Sequence, residues 1–452
     1  MRVGLPYGKD GVVEVDVPED NLLGILTPPA VEKAPDEARA IEGALGNPLG
    51  TKRLQDIARR GAKVAVAIND ATRPNIERKI LPHLMAELGS AGVGEEDVAF
   101  VIGTGSHRLA SSEEIAERLG DLMSRVRVVN HNARNDRMVD VGTTSKGFPI
   151  QINAALAEAD VKVAIGVVLP HPIAGYSGGG KAVLVGVASN KTIASTHTAQ
   201  MLDHPNTGLG MIDGSPFYKA AVEAARLAKL DFIVNAVVNE REEIVDVAAG
   251  DVELAHRTLI QRTADRMFRA YFPRPADIVV VSAGYPKDTN LYHVSAEGIC
   301  VVAGSALPTP CVKKGGTIIV VSPMAEGVYN QTYYRWLTSS RSLDEIIERL
   351  RTEPITDPGQ HRAYGVACVL RDVEVIIAQS QLDPEMIRAA HMIPVAAARE
   401  ALEWALAKHG RGAEVIVVAN SHRLVPTPKM HNAFSCFDGA GKCPAWRTTL
   451  KV

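Results

Sequence analysis

Three side chains able to do chemistry share the stretch 161–200: His171, Lys181 and His197. Lys181 ends the run Gly-Tyr-Ser-Gly-Gly-Gly-Lys and is followed by the apolar Ala-Val-Leu-Val-Gly-Val. Apolar surroundings disfavour an ammonium ion, and a neutral amine is the form that bonds to a carbonyl-type carbon. The plainer alternative is a lysine whose stem lies on apolar surface while its charge reaches solvent or a phosphate. His171 stands between Pro170 and Pro172 after an apolar run, and His107 stands in Gly-Thr-Gly-Ser-His-Arg after another. Imidazole titrates near neutral pH, so two of them facing one reacting centre are a candidate acid–base pair. Singly, each reads as a solvated or capping histidine. His197 is by itself a weak metal signal, because metal sites usually gather several ligands. His204 and His293 are similar bare candidates.

Gly175-x4-Gly180-Lys181 has the outline of a phosphate-binding P-loop, yet Ala182 stands where that loop needs Ser or Thr to hold magnesium. Gly178, Gly179 and Gly180, lacking side chains, are expected to let a phosphate or a flat ring approach the backbone. Packing alone is a poor explanation for three glycines in a row. Upstream, Asp70-Ala71-Thr72-Arg73 follows another apolar run. Arg73 offers a planar fork for a carboxylate or phosphate. The alternative is that Asp70 caps the next helix and Arg73 pairs with a surface acid.

Strands expected at 63–68, 98–102, 126–129 and 161–169 position these groups, with helices at 36–45, up to Arg60, and at 76–90, 112–119 and 150–159. The polar clusters 69–74, 103–108 and 171–181 each follow the C-terminal end of a strand. In a parallel sheet such ends share one edge, where ligands bind. Residues 1–30 read as a short strand pair at an edge. A helix over 252–271 leads to Phe272-Pro273-Arg274-Pro275, a hinge. Beyond it come strands at 278–281, 317–321, 373–378 and 414–419, a loop at 284–290 with a helix running on to about Gly304, and helices at 342–351 and 385–408. The expected class is α/β, two Rossmann-like α/β domains with mostly parallel sheets: an N-terminal domain over 1–272 carrying the Lys181 loop and a C-terminal domain over 273–425. Residues 426–452 read as an irregular tail, expected to pack back on the N-terminal domain.

The 452 residues are 46% hydrophobic and 22% charged with a net charge of −3, an ordinary globular composition. Nothing in it announces a nucleic-acid or membrane partner. No apolar run reaches the roughly 18 residues of a membrane span, and the first residues lack the apolar core of a signal peptide. The five cysteines form no Cys-x-x-Cys pair, so a reduced, cytoplasmic enzyme is the expectation.

Asp70-Ala-Thr-Arg73, Gly-Ser-His107-Arg, His171-x9-Lys181, His197 and Gly284-Tyr-Pro-Lys-Asp-Thr-Asn-Leu-Tyr292 together resemble the nickel-dependent lactate racemase family, over about residues 1–420. The resemblance implies two α/β domains with an interdomain active-site cleft. It implies a nickel-pincer nucleotide (pyridinium-3-thioamide-5-thiocarboxylic acid mononucleotide) bonded to Lys181, with His197 as the protein ligand of nickel. His107 and His171 would alternate as acid and base. Asp70, Ala71, Thr72, Arg73, Gly178, Gly179, Gly180, Tyr292 and His293 would border the cofactor, and Arg73, Tyr292 and His293 the substrate. The implied activity is racemisation or epimerisation of a small 2-hydroxy acid. Cofactor-maturation proteins and a second copy of the chain are the implied partners.

One departure stands out. Lactate-specific members carry Tyr-Gln-x-x-Lys where this chain has Tyr292-His293-Val-Ser-Ala296. Losing a charge-assisted contact costs about 1.5–3 kcal/mol. Either Arg73, Lys287 or Lys313 holds the carboxylate instead, or the substrate is a different, larger 2-hydroxy acid; the second is our expectation. A nicotinamide-dependent dehydrogenase would need Gly-x-Gly-x-x-Gly after a strand, which is not convincingly present. A non-catalytic cofactor-binding protein is the remaining rival.

Overall fold

The strand Val161–Val167 is buried along its whole length, as its unbroken run of β-branched and small residues requires. In the computed structural model, which describes residues 1–429 except 305, 306 and 308, it lies inside a six-stranded sheet. The spatial order is Ile244–Gly250, Phe232–Val238, Val161–Val167, Val64–Asn69, Val98–Gly103, Arg127–Asn130. Only Ile244–Gly250 runs antiparallel to its neighbour. The ends of the strands 64–69, 98–103 and 161–167 therefore meet at one edge, and each continues into one of the polar clusters.

A second six-stranded sheet is parallel throughout. Its order is Ile393–Val395, Glu374–Ala378, Val312–Val321, Ala276–Val281, Val415–Val418, Leu22–Leu26. Both sheets carry helices on their faces, so the fold is α/β. The chain's start belongs to the second sheet: Leu22–Leu26 is its edge strand. The hairpin Arg2–Tyr7/Gly11–Asp16 lays Val3, Leu5, Val15 and Val17 on Ile278, Val280 and Ile319. The expected N-terminal unit 1–272 thus loses its first 26 residues to the other sheet, because their apolar face finds its partner there.

Four expected helices are different or shorter, and the one expected up to Arg60 is only the single turn Leu54–Ile57. Pro149–Asn153 is a strand paired with Met138–Thr143, and only Ala154–Ala157 is helical. Ile150 and Ile152 alternate with Gln151, a period of two that favours a strand. The helix expected over 252–271 stops at Phe268. Arg269–Phe272 then pairs with Val425–Pro428, a partner more than 150 residues away in the chain that no local signal reveals. The helix expected over 385–408 is interrupted by the strand Ile393–Val395, where Pro394 cannot continue a helix. Only the first residues of the expected tail, up to Lys429, are among those described; they pair with Arg269–Phe272, and 430–452 lie outside.

Candidate active site

His107, His171, Lys181 and His197 line one cleft of about 1020 Å³ between the two sheets. Asp70, Arg73 and Gly178 complete its wall on the first sheet. Lys287, Tyr292, His293, Glu297, His361 and Arg362 form the facing wall. Ala71 and Thr72 line a neighbouring hollow of about 530 Å³ that shares Asp70, His107 and His293. His204 borders neither.

The two imidazoles are held in opposite tautomers. Oδ2 of Asp70 lies 2.6 Å from Nδ1 of His107. Asp70 also accepts from Thr72, at 3.2 Å from the backbone N–H and 2.8 Å from Oγ1. Burial would raise the Asp70 carboxyl, but His107 beside it, with Arg73 and Lys287, holds it well below the ordinary carboxylate range. An ionised Asp70 makes Nδ1 of His107 the donor and leaves Nε2 as a free base. His171 is the reverse: its Nδ1 accepts the backbone N–H groups of Ile173 (3.3 Å) and Ala174 (3.1 Å), so the neutral ring carries its proton on Nε2. Burial pushes the His171 imidazole well below its usual pKa, and the charges of Lys181 and Arg73 push the same way. Burial also lowers His107, but Asp70 opposes it. A proton shared between the two rings therefore favours His107.

Lys181 lies at the start of a π-helical turn, Ala182–Gly186, at the end of the glycine loop. Burial, reinforced by Arg73, lowers its pKa to about 7, so close to half of it is a neutral amine at neutral pH. The three glycines have a packing explanation beside the one expected. A Cβ at Gly180 would collide with the carbonyl of Ala221, and one at Gly179 with the ring of His256. One at Gly178 would come within 2.9 Å of Asn235 Oδ1. Gly178 and Gly179 also have positive φ, at 88° and 53°. Only Gly178 lines the cleft. The run lets the loop lie on Asn235, which accepts the Gly179 N–H at 2.9 Å, and on His256, which donates to the Ser177 carbonyl at 2.9 Å.

His197 closes the helix Asn190–Thr196. Its Nδ1 donates to the Ile193 carbonyl at 2.8 Å, which leaves Nε2 as a lone pair, and burial lowers its pKa to about 4. A buried imidazole kept neutral with a free Nε2 is the form that ligates a metal. Together with an amine of pKa about 7, it makes a donor set that fits a lysine-tethered, metal-bearing nucleotide.

Two family models match the chain: "Lactate racemase N-terminal domain" over residues 7–210 and "Lactate racemase C-terminal domain" over residues 272–425. The chain belongs to the lactate racemase family. It is 32% identical over 411 residues to the lactate racemase of Thermoanaerobacterium thermosaccharolyticum, covering 89% of this chain and 94% of that one. It is 31% identical over 425 residues to the lactate racemase of Lactiplantibacillus plantarum, covering 92% and 98%. The structure of the T. thermosaccharolyticum lactate racemase apoprotein superposes with a TM-score of 0.83 at 31% identity, over 94% of this chain and all of that one. A Thermotoga maritima protein shares the fold at a TM-score of 0.68 and 20% identity, over 88% of this chain.

The residues that carried the sequence resemblance lie mostly on the first wall, and the second wall holds what sequence reasoning missed. Glu297, His361 and Arg362 were not singled out, and Lys287 was only one of three candidate cations. Lys313, another of the three, is at the surface, paired with Asp277 (3.0 Å) and Glu414 (3.3 Å). Lys287 is 3% exposed, with its pKa lowered by burial to about 7. Its loop is anchored to the N-terminal hairpin, where the Gly8 N–H donates to Asp288 at 2.7 Å. His361 and Arg362 sit on the helix Gly359–Asp372, absent from the sequence reading, although Asp357-Pro358-Gly359 is a recognisable helix start. No helix among the described residues is long and apolar enough to cross a membrane.

Proposed function

We propose that this family member is a cytoplasmic racemase or epimerase of a 2-hydroxy acid larger than lactate, working with a nickel-pincer nucleotide bonded to Lys181. The observation that carries the reading is the single cleft lined by His107, His171, Lys181 and His197. Lys181 would hold the nucleotide through its neutral amine and His197 would ligate nickel through Nε2. When bound, the nucleotide supplies a reversible acceptor for the hydride of the substrate's hydroxyl-bearing carbon.

The chain's own residues handle the protons. Nε2 of His107 takes the hydroxyl proton, and Asp70 stabilises the imidazolium that results. With the substrate's carbon planar, as in a 2-keto acid, either of its faces can be presented to the site. Nε2 of His171 serves the oxygen when the other face is presented, so the two histidines exchange roles between the two hands of substrate. The cleft walls keep the keto acid from escaping into water. Ala296, 1% exposed on the π-helical turn Ser295–Cys300, offers only a methyl group where lactate-specific relatives are expected to carry lysine. That difference supports a substrate other than lactate. Loading of the cofactor implies maturation proteins as partners.

The test is stereo-inversion of a panel of enantiopure 2-hydroxy acids by cofactor-loaded protein, followed by chiral chromatography. Inversion of a longer, dicarboxylic or sugar acid ahead of lactate is expected. Lactate as the best substrate removes the claim about size, and inversion of none removes the racemase reading.

A further inference from the structure

A 2-hydroxy acid enters with an ionised carboxylate, which a partly dehydrated cleft must meet with a cation. Four cations line the cleft: Arg73, Lys181, Lys287 and Arg362. The first three share their surroundings with acids. Arg73 and Lys287 act on Asp70, and Lys181 and Lys287 feel both Asp70 and Glu297. Lys181 is in addition committed to the cofactor under the reading above. None of the four side chains makes a hydrogen bond or ion pair among the described residues, but Arg362 is the one of them with a buried donor, its Nε, left without a partner. The groups that feel its charge include His171, His197 and His293, which surround the place where substrate must lie.

The guanidinium is also preorganised. It lies over the Tyr292 ring, 4.9 Å from the centroid, a contact that restrains it, and a guanidinium is built for a two-pronged contact with a carboxylate. The start of its helix is clamped to the opposite wall. Arg134 pairs with Asp357, Asn190 donates to the Thr356 carbonyl at 2.9 Å, and Tyr364 donates to Asp203 at 2.7 Å. This helix packs directly against the turn Ser295–Cys300 that carries Ala296. A cation absent from that turn can therefore be supplied from the helix beside it.

We propose that Arg362 is the residue that binds the substrate carboxylate, an assignment that rests on the racemase reading. In cofactor-loaded protein, with whichever 2-hydroxy acid of the panel is inverted best, Arg362→Gln is expected to raise KM by about ten- to a hundredfold, with kcat changed only a fewfold. Arg362→Lys, which keeps the charge and loses the fork, should recover part of the loss. Nickel content and the mass of the Lys181 adduct should match wild type in both variants, which separates loss of the anchor from loss of the cofactor. An unchanged KM in Arg362→Gln overturns the assignment. So does a KM rise confined to Lys287→Gln, which would move the anchor to that lysine. If wild-type protein inverts no 2-hydroxy acid, the racemase reading falls, and the anchor with it.

Discussion

The carboxylate of Asp70 grips His107 through a 2.6 Å contact between Oδ2 and Nδ1, so this imidazole is oriented by a buried acid that keeps its proton on Nδ1. Asp70→Asn keeps the shape but removes the charge that stabilises the imidazolium. Turnover should fall by about a hundredfold or more while KM moves little. Steady-state kinetics with nickel-loaded variant would show this, and an undiminished kcat would strip Asp70 of the role.

His107→Ala and His171→Ala each delete one side of the proton traffic. Each should lose about a hundred- to ten-thousandfold in rate and still hold nickel and the Lys181 adduct. Full activity in either variant removes that histidine from the pair.

Lys181 should react as an amine at unusually low pH. Its pKa of about 7 makes it the ammonium below that value and the nucleophilic amine above it. Acylation of the cofactor-free protein, read at Lys181 by peptide mass spectrometry, should therefore rise with pH and reach half its plateau near 7. Surface lysines should need pH values near their ordinary pKa of about 10.4. A Lys181 midpoint near 10 would contradict its burial, and an adduct persisting in Lys181→Ala would refute attachment there.

His197→Ala removes the only protein group assigned to nickel. Metal analysis should find nickel depleted in this variant while intact-mass measurement still finds the nucleotide on Lys181. Wild-type nickel content would send the ligand role elsewhere.

Gly180→Ala tests why the loop is so rich in glycine. Its Cβ would meet the Ala221 carbonyl, a backbone atom on the helix Pro216–Leu227 that cannot swing aside. Overpacking of this kind costs about 1–3 kcal/mol, visible as a lower Tm in thermal unfolding. An unchanged Tm would mean that the glycine serves something other than packing.

The sequence by itself determined the first wall of the site. Val64–Asn69, Val98–Gly103 and Val161–Val167 are apolar runs ended by polar clusters, and strands of a parallel sheet put such ends on one edge. Asp70, Arg73, His107, His171, Lys181 and His197 were legible because local pattern and one topological rule suffice to gather them. On the second wall Lys287, Tyr292 and His293 were also named from the sequence, but tertiary structure alone decided the rest of it. Glu297, His361 and Arg362 become site residues only when a separate sheet is docked opposite the first, and nothing within a few residues of them encodes that docking. The same holds for Arg269–Phe272, made a strand by a partner more than 150 residues on, and for the opening hairpin, which lies on the far sheet. It holds for the glycine loop too, whose shape is set by the carbonyl of Ala221 and the ring of His256 pressing from behind. Side-chain spacing along the chain carries short-range information; which buried surface meets which is decided by burial across the whole molecule.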